Sequence, residues 1–237
     1  SFYIGATNNN LAELKKVSRK LTCGIKIFMG SSTGNMLVNQ TESLNAIFQI
    51  TDLPIAVHCE DEETIQSNLT KYKNEYGDDI PTEYHPLIRS HEACLKSSTL
   101  AANLAKRHNT RLHIIHLSTA DELQHFQNDI PSRDKRITSE VCIHHLWFDE
   151  SDYPEKGTLI KWNPAVKTKE DKEGILKAVL DGRIDVIATD HAPHAPDEKS
   201  MNIENAPFGI IGLETAFPLI YTNFVKSGDL DLSRAID

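Results

Sequence analysis

Four chemically useful side chains stand at comparable places in four separate apolar runs. They are Lys26 in Gly-Ile-Lys-Ile-Phe, His58 in Ala-Val-His-Cys-Glu, His116 in Ile-Ile-His-Leu-Ser and Asp190 in Ala-Thr-Asp-His-Ala-Pro-His. Imidazoles, carboxylates and a lysine withdrawn from water are groups that bind divalent cations and move protons in hydrolytic chemistry. A single His in an apolar run is more often a core residue with its hydrogen bonds satisfied. A lysine between two isoleucines is harder to set aside, because a buried ammonium needs a partner or a chemical reason. Four such coincidences, each at the end of a predicted strand, are poorly explained by chance. On a strand, His113 and His116 point to opposite faces, so only His116 is taken as a candidate ligand.

These residues can meet only if the elements carrying them converge. Hydrophobic periodicity predicts strands over 2–6, 25–29, 55–59, 112–117, 137–143 and 186–189, the last of them buried. Helices are expected over 11–19 with Asn10 as cap, 43–49, 61–76, 91–108, 120–127 and 168–181, and from near Gly212. Residues 30–34, 81–86 and 190–207 read as loops. Such β-α alternation implies a parallel sheet covered by helices, either a barrel or a doubly wound sheet. No Gly-x-Gly-x-x-Gly follows the first strand and no Gly-Lys-Ser/Thr occurs, which removes the best support for a nucleotide-binding, doubly wound fold. In a barrel, the C-terminal ends of the strands converge on one site, where distant residues can share a metal.

Composition narrows the partners. The 237 residues carry a formal charge of −9 and 39% apolar side chains, with no basic cluster for nucleic acid or an anionic membrane. No apolar run approaches the ~18 residues needed to span a bilayer. Cys23, Cys59, Cys94 and Cys142 are scattered singly, as reduced thiols in a cytoplasmic protein would be. The expected partners are a small-molecule substrate and a second copy in a homodimer, with neither nucleic acid nor membrane.

Read in order, eight segments carry a resemblance: Phe2-Tyr-Ile-Gly-Ala-Thr7, Ile25-Lys-Ile-Phe-Met29, Val57-His-Cys-Glu-Asp61, His116-Leu-Ser-Thr-Ala120, Glu140-Val-Cys-Ile-His-His-Leu146, Trp162-Asn-Pro-Ala-Val-Lys167, Ala188-Thr-Asp-His-Ala-Pro-His194 and Pro207-Phe-Gly-Ile-Ile-Gly-Leu-Glu-Thr215. Together they resemble the cyclic amidohydrolase group of the amidohydrolase superfamily, and most closely the dihydroorotases. The Asp-His-Ala-Pro-His segment is the most specific of the eight.

The resemblance implies a distorted (β/α)8 barrel of the TIM type with two zinc ions per complete site. It implies that Lys26 is carboxylated and bridges both metals, that His58 and His116 bind the second, and that Asp190 binds the first and shuttles the proton. His194 would bind substrate, while Asn163 and the backbone from Pro207 to Gly209 would line the ring pocket. The implied activity interconverts dihydroorotate and N-carbamoyl-L-aspartate in pyrimidine biosynthesis. The alternatives are a hydantoinase- or allantoinase-type hydrolase and a catalytically dead scaffold homologue.

The chain also departs from the pattern. Many dihydroorotases of this branch have Asp in place of Lys26, Ala165 and Lys167 replace a common Pro and Arg, and Ile143 replaces a common Pro. The family's His-x-His pair and nearby Arg of its first strand occur nowhere in this sequence. Residues 1–237 therefore read as one incomplete barrel domain, the family's strands 3–8 without strands 1 and 2. By itself it is expected to be inactive and to bind at most one zinc weakly. Glu140 reads equally as a supporting carboxylate near His116 and as a surface carboxylate, His144 and His145 as structural strand residues, and Trp162 as loop packing.

Overall fold

Ile25 and Ile27 alternate with Lys26 and Phe28 along the second strand, and this alternation creates a sheet with two unlike faces. The computed structural model describes residues 2–30, 35–50 and 52–236, so residues 31–34 of the expected Gly/Ser loop lie outside the described residues. Among the described residues there are six strands: β1 (Phe2–Gly5), β2 (Thr22–Phe28), β3 (Ile55–His58), β4 (Leu112–Ile114), β5 (Ile137–Cys142) and β6 (Val186–Ala188). All neighbours pair in parallel, in the order β1-β2-β3-β4-β5-β6. The order never reverses, so the sheet lacks the switch point of a doubly wound fold. Adding each new strand to the same side is the winding of a (β/α) barrel wall.

One face of this wall is the core. Ile25, Ile27, Ile55, Val57, Leu112, Ile114 and Val141 bury themselves in one cluster with Leu44, Ile47 and Phe48 of the helix Thr41–Ile50. Ala101 and Ala105 of the helix His91–His108 and Ile175 and Ala178 of the helix Lys169–Asp181 complete the same cluster. Each large aliphatic side chain so buried contributes about 1.5–3 kcal/mol. The opposite face is polar. Lys26, Ala56, His113 and Thr138 occupy one register row, with Phe28, His58 and Glu140 two residues further along their strands.

Several expectations change, each for a local reason. The helix after β1 stops at Leu14, the one buried residue of Leu11–Leu14. Asn10 does not cap it, because its side chain accepts from the Thr7 N–H and donates to the Gly5 carbonyl. β6 is not buried: Val186 is 46% exposed, since among the described strands only β5 flanks it. The strand over 137–143 ends at Cys142 and Ile143–Trp147 is a helix, so His144 and His145 are helical residues. The segment 120–127 forms a 3-10 turn over Asp121–His125, the 81–86 loop contains two short helical turns, and the helix expected from 212 begins at Ala216. No helix among the described residues is long and apolar enough to cross a membrane.

Two buried charges give testable energetics. Lys135 Nζ donates to Asp185 Oδ1 and to the Gly182 carbonyl, both at 2.8 Å, while Asp185 Oδ2 accepts from the Ser139 N–H. Removing one partner strands the other charge at a cost of about 3–5 kcal/mol. Asp185→Ala is expected to lose that much stability in urea unfolding, and the double change Lys135→Met/Asp185→Leu to lose far less. Equal losses in both variants would refute the pairing argument.

Glu122 behaves oppositely. Burial pushes its carboxyl from 4.5 up to about 7, although Thr119 Oγ1 donates to it and Lys167 lies nearby. The folded chain therefore keeps a proton that the unfolded chain has lost, and stability falls as pH rises through this interval, by up to ~1.4 kcal/mol per unit. Glu122→Gln is expected to flatten the stability profile between about pH 4.5 and about pH 7. An unchanged slope in that variant would rule Glu122 out as its source.

Candidate active site

Lys26 enters the polar face from the middle of β2. Its Nζ is buried without a hydrogen-bond partner and stands 4.3 Å from the Phe28 ring centre. Burial pulls its amine down to about 8, against the opposing pull of Cys59, Asp190 and Glu140. A usable fraction of free amine therefore exists near neutral pH.

His58 closes β3, and His116 and Asp190 each stand two residues beyond the end of a strand. Both of the latter hold left-handed backbone, with φ of 40° at His116 and 48° at Asp190. Such a conformation is costly for a residue with a Cβ and is concentrated at functional sites. At His116 it also defeats the alternation argument, because β4 has already ended at Ile114. The ring turns back to the polar face and meets His58, with Nδ1 of His58 and Nε2 of His116 2.9 Å apart.

The tautomer of His58 follows from its other contact. Nε2 lies 2.8 Å from Glu60 Oε2. A carboxylate only accepts, so Nε2 carries the proton and Nδ1 presents its lone pair to His116. Arg89 Nη1 donates to the same Glu60 oxygen at 2.5 Å. Burial alone would raise the Glu60 carboxyl, but Arg89 and His58 outweigh it and hold it at about 2. Burial depresses both histidines and keeps them neutral, reinforced at His116 by His58 and Lys26. Burial pushes the Asp190 carboxyl upward.

Lys26, His58, His116, Asn163, Asp190 and Gly209 line one cavity of about 170 Å³. Larger clefts of about 410 and 570 Å³ lie elsewhere and contain none of these groups. Asn163 Oδ1 is buried and has no hydrogen-bond partner. His194 and Pro207 stand outside the lining, His194 exposed at the rim. Gly209 joins the two loops: a Cβ there would lie 2.3 Å from the Ala192 carbonyl oxygen and 2.7 Å from His194 Cδ2.

These residues fit a metal. Two neutral imidazoles meet nitrogen to nitrogen, close to the ~3.3 Å edge of a tetrahedral zinc with bonds of ~2.0 Å. The buried Lys26 amine has no partner, and carboxylation would turn it into an anionic oxygen ligand. The Asp190 carboxylate does not close up with the two histidines into a three-ligand group. Among the described residues, the group of three that does lie within 4.8 Å of one another is Cys142, His144 and His145. Its rings serve another purpose, since His144 packs on Trp162 at 4.3 Å and His145 Nε2 donates to the Pro164 carbonyl at 3.1 Å.

Glu140 does not support His116. It bonds to His113 at 3.0 Å, and the other nitrogen of that ring bonds to Thr138 Oγ1 at 2.9 Å. His113 shares its register row with Thr138, which brings it to the polar face beside Glu140. Trp162 does more than pack its loop: it lines the cavity and its Nε1 donates to the Gly209 carbonyl. Glu60 and Arg89 were absent from the sequence candidates. Glu60 lies two residues from His58 and could have been suspected from that spacing, whereas nothing local marks Arg89.

No family model matches the chain. Curated relatives do. A dihydroorotase of Staphylococcus aureus (strain Mu50 / ATCC 700699) is 46% identical over 134 residues, covering 56% of this chain and 31% of that protein. A dihydroorotase of Bacillus pumilus (strain SAFR-032) is 39% identical over 188 residues, covering 78% of this chain and 42% of that protein. The chain belongs to the dihydroorotase-like cyclic amidohydrolases. Among solved amidohydrolase structures, L-hydantoinase (dihydropyrimidinase) from Arthrobacter aurescens superposes with a TM-score of 0.89 at 26% identity, over 99% of this chain and 53% of that one. Dihydroorotase from Saccharomyces cerevisiae, at 17% identity and a TM-score of 0.72, shares the amidohydrolase fold. The chain spans between 31% and 42% of the length of these curated relatives.

Proposed function

We propose that this chain contributes the Lys26–His58–His116–Asp190 wall of a zinc-dependent enzyme that interconverts dihydroorotate and N-carbamoyl-L-aspartate, a step of pyrimidine biosynthesis. The observation that carries the reading is the single cavity into which these four residues converge. The dihydroorotases at 39–46% identity supply the substrate. Carboxylated Lys26, His58 through Nδ1, His116 through Nε2, and Asp190 would hold the metal. When bound, the metal supplies Lewis acidity that polarises a ring carbonyl and acidifies water.

The protein's own groups do the rest. Asp190, its carboxyl raised by burial, takes up the proton released as the ring amide is attacked and returns it to the departing nitrogen. Asn163 Oδ1 accepts from a ring N–H, Trp162 and Phe208 limit the space for water, and His194 meets substrate at the rim. Glu60 keeps the His58 tautomer that leaves Nδ1 free.

A second reading, hydrolysis of a hydantoin or dihydropyrimidine, is favoured by the superposition on L-hydantoinase. The test compares kcat/KM for dihydroorotate, hydantoin and dihydrouracil in the complete gene product. Dihydroorotate is expected to be strongly preferred, and comparable or reversed values would move the assignment to the second reading. Residues 1–237 alone contain four of the implied metal ligands and no His-x-His pair, and serve as a comparison expected to be inactive.

A further inference from the structure

The segment 161–165 crosses the cavity as irregular backbone, with a cis peptide between Asn163 and Pro164. Buried backbone without secondary structure must find other partners for its carbonyls. Here the partners are four basic side chains, three drawn from distant parts of the sequence and the fourth, Lys167, standing two residues beyond the segment. Lys199 Nζ donates to the Lys161 carbonyl at 3.0 Å and His85 Nε2 to the Trp162 carbonyl at 2.7 Å. His145 Nε2 donates to the Pro164 carbonyl and Lys167 Nζ to the Ala165 carbonyl, both at 3.1 Å. All four donors are buried, none more than 6% exposed.

The pattern has one gap. None of the four donors reaches Asn163, and its side-chain Oδ1 is buried without a partner while the residue lines the cavity. The same clamp extends to the facing loop, because Lys199 also donates to the Pro207 and Gly209 carbonyls. Burial holds His85 and His145 at about 3, so each is neutral and has one N–H, which it gives to the loop.

Apolar side chains could fill this space without the desolvation cost of four basic groups. Directional donors do what apolar packing cannot, which is to fix each peptide's rotation and hence the direction of the side chain between them. A buried acceptor left open inside an otherwise satisfied segment costs roughly 1–3 kcal/mol unless a ligand fills it.

We infer that Lys199, His85, His145 and Lys167 are positioning residues that lock backbone 161–165, so that Asn163 Oδ1 stands ready to receive an N–H of a cyclic amide or of its opened ureido product. The inference rests on the proposed function for the identity of that ligand, but not for the clamp itself.

The test uses the complete gene product with His85→Leu, His145→Leu, the donor-retaining His85→Gln and His145→Gln, and Asn163→Ala. Each Leu variant is expected to raise KM for dihydroorotate on the order of 10-fold with kcat and zinc content little changed, and each Gln variant to recover most of the loss. Combining His85→Leu with Asn163→Ala is expected to add little to either alone, since both remove the same contact. Amide hydrogen exchange at Trp162, Asn163 and Ala165 is expected to accelerate in the Leu variants and not in the Gln variants. Additive KM effects, or lowered stability with KM unchanged, would overturn the role towards substrate. Unaccelerated exchange would overturn the clamp, and that readout stands whatever the substrate. A wild-type enzyme that turns over neither dihydroorotate nor hydantoin would instead overturn the proposed function.

Discussion

Lys26→Ala in the complete gene product is expected to abolish most activity, on the order of 10³-fold or more, and to release most of the bound zinc. The fold should survive. The Lys26 amine is buried without a hydrogen-bond partner and is depressed by desolvation, so removing it relieves a cost and breaks no hydrogen bond, only its stacking over the Phe28 ring. Unfolding midpoints of Lys26→Met are therefore expected to stay level or rise while activity disappears. Short carboxylic acids, which can place an oxygen pair where the carbamate would stand, should restore part of the activity of Lys26→Ala. Normal turnover and zinc content in that variant would end the ligand role of Lys26.

Asp190→Asn is expected to lower kcat by ~10²–10⁴, the range associated with losing a general acid–base. The substitution is clean for a backbone reason. Asp190 holds a φ of 48°, and Asn is the residue that tolerates left-handed backbone best after glycine. The turn after β6 is thus preserved while the proton-carrying oxygen is replaced by an amide. Zinc content measured alongside kcat separates loss of the base from loss of a ligand. A near-normal kcat would mean that another group moves the proton.

What the sequence revealed divides along physical lines. Ile-Lys-Ile and Ala-Val-His announced both their strands and the side chains that line the cavity, because a polar residue inside an apolar run violates the simplest rule of burial. The β-α alternation gave the parallel sheet, and the absence of phosphate-binding glycines pointed away from a doubly wound order. The supporting residues were not legible. Arg89, His85 and Lys199 reach Glu60, the Trp162 carbonyl and the Lys161 carbonyl across long stretches of sequence, and no local pattern encodes such a meeting.

Errors of detail came from the ends of strands. Strand alternation puts His113 and His116 on opposite faces, yet the strand stops at Ile114 and the left-handed backbone of His116 reverses the direction. The apolar run through Ile143 suggests a strand reaching towards His144 and His145, but helix begins at Ile143. Glu140 takes neither of the two places its sequence suggests, beside His116 or at the surface: the strand register puts it against His113.

The unbroken strand order has a consequence for synthesis. Each described strand after the first pairs with the one made just before it, so among the described strands no pairing waits for a distant segment and this wall can register itself in the order of translation. The His58–His116 contact needs nothing made later than His116 itself, two residues beyond β4. At about 5–20 residues per second, Asp190 follows on the order of several seconds later. Nascent chains would thus present a histidine pair to cellular metal before the acidic residue exists, and the last candidate ligand would arrive at a half-built site from the strand that is least covered.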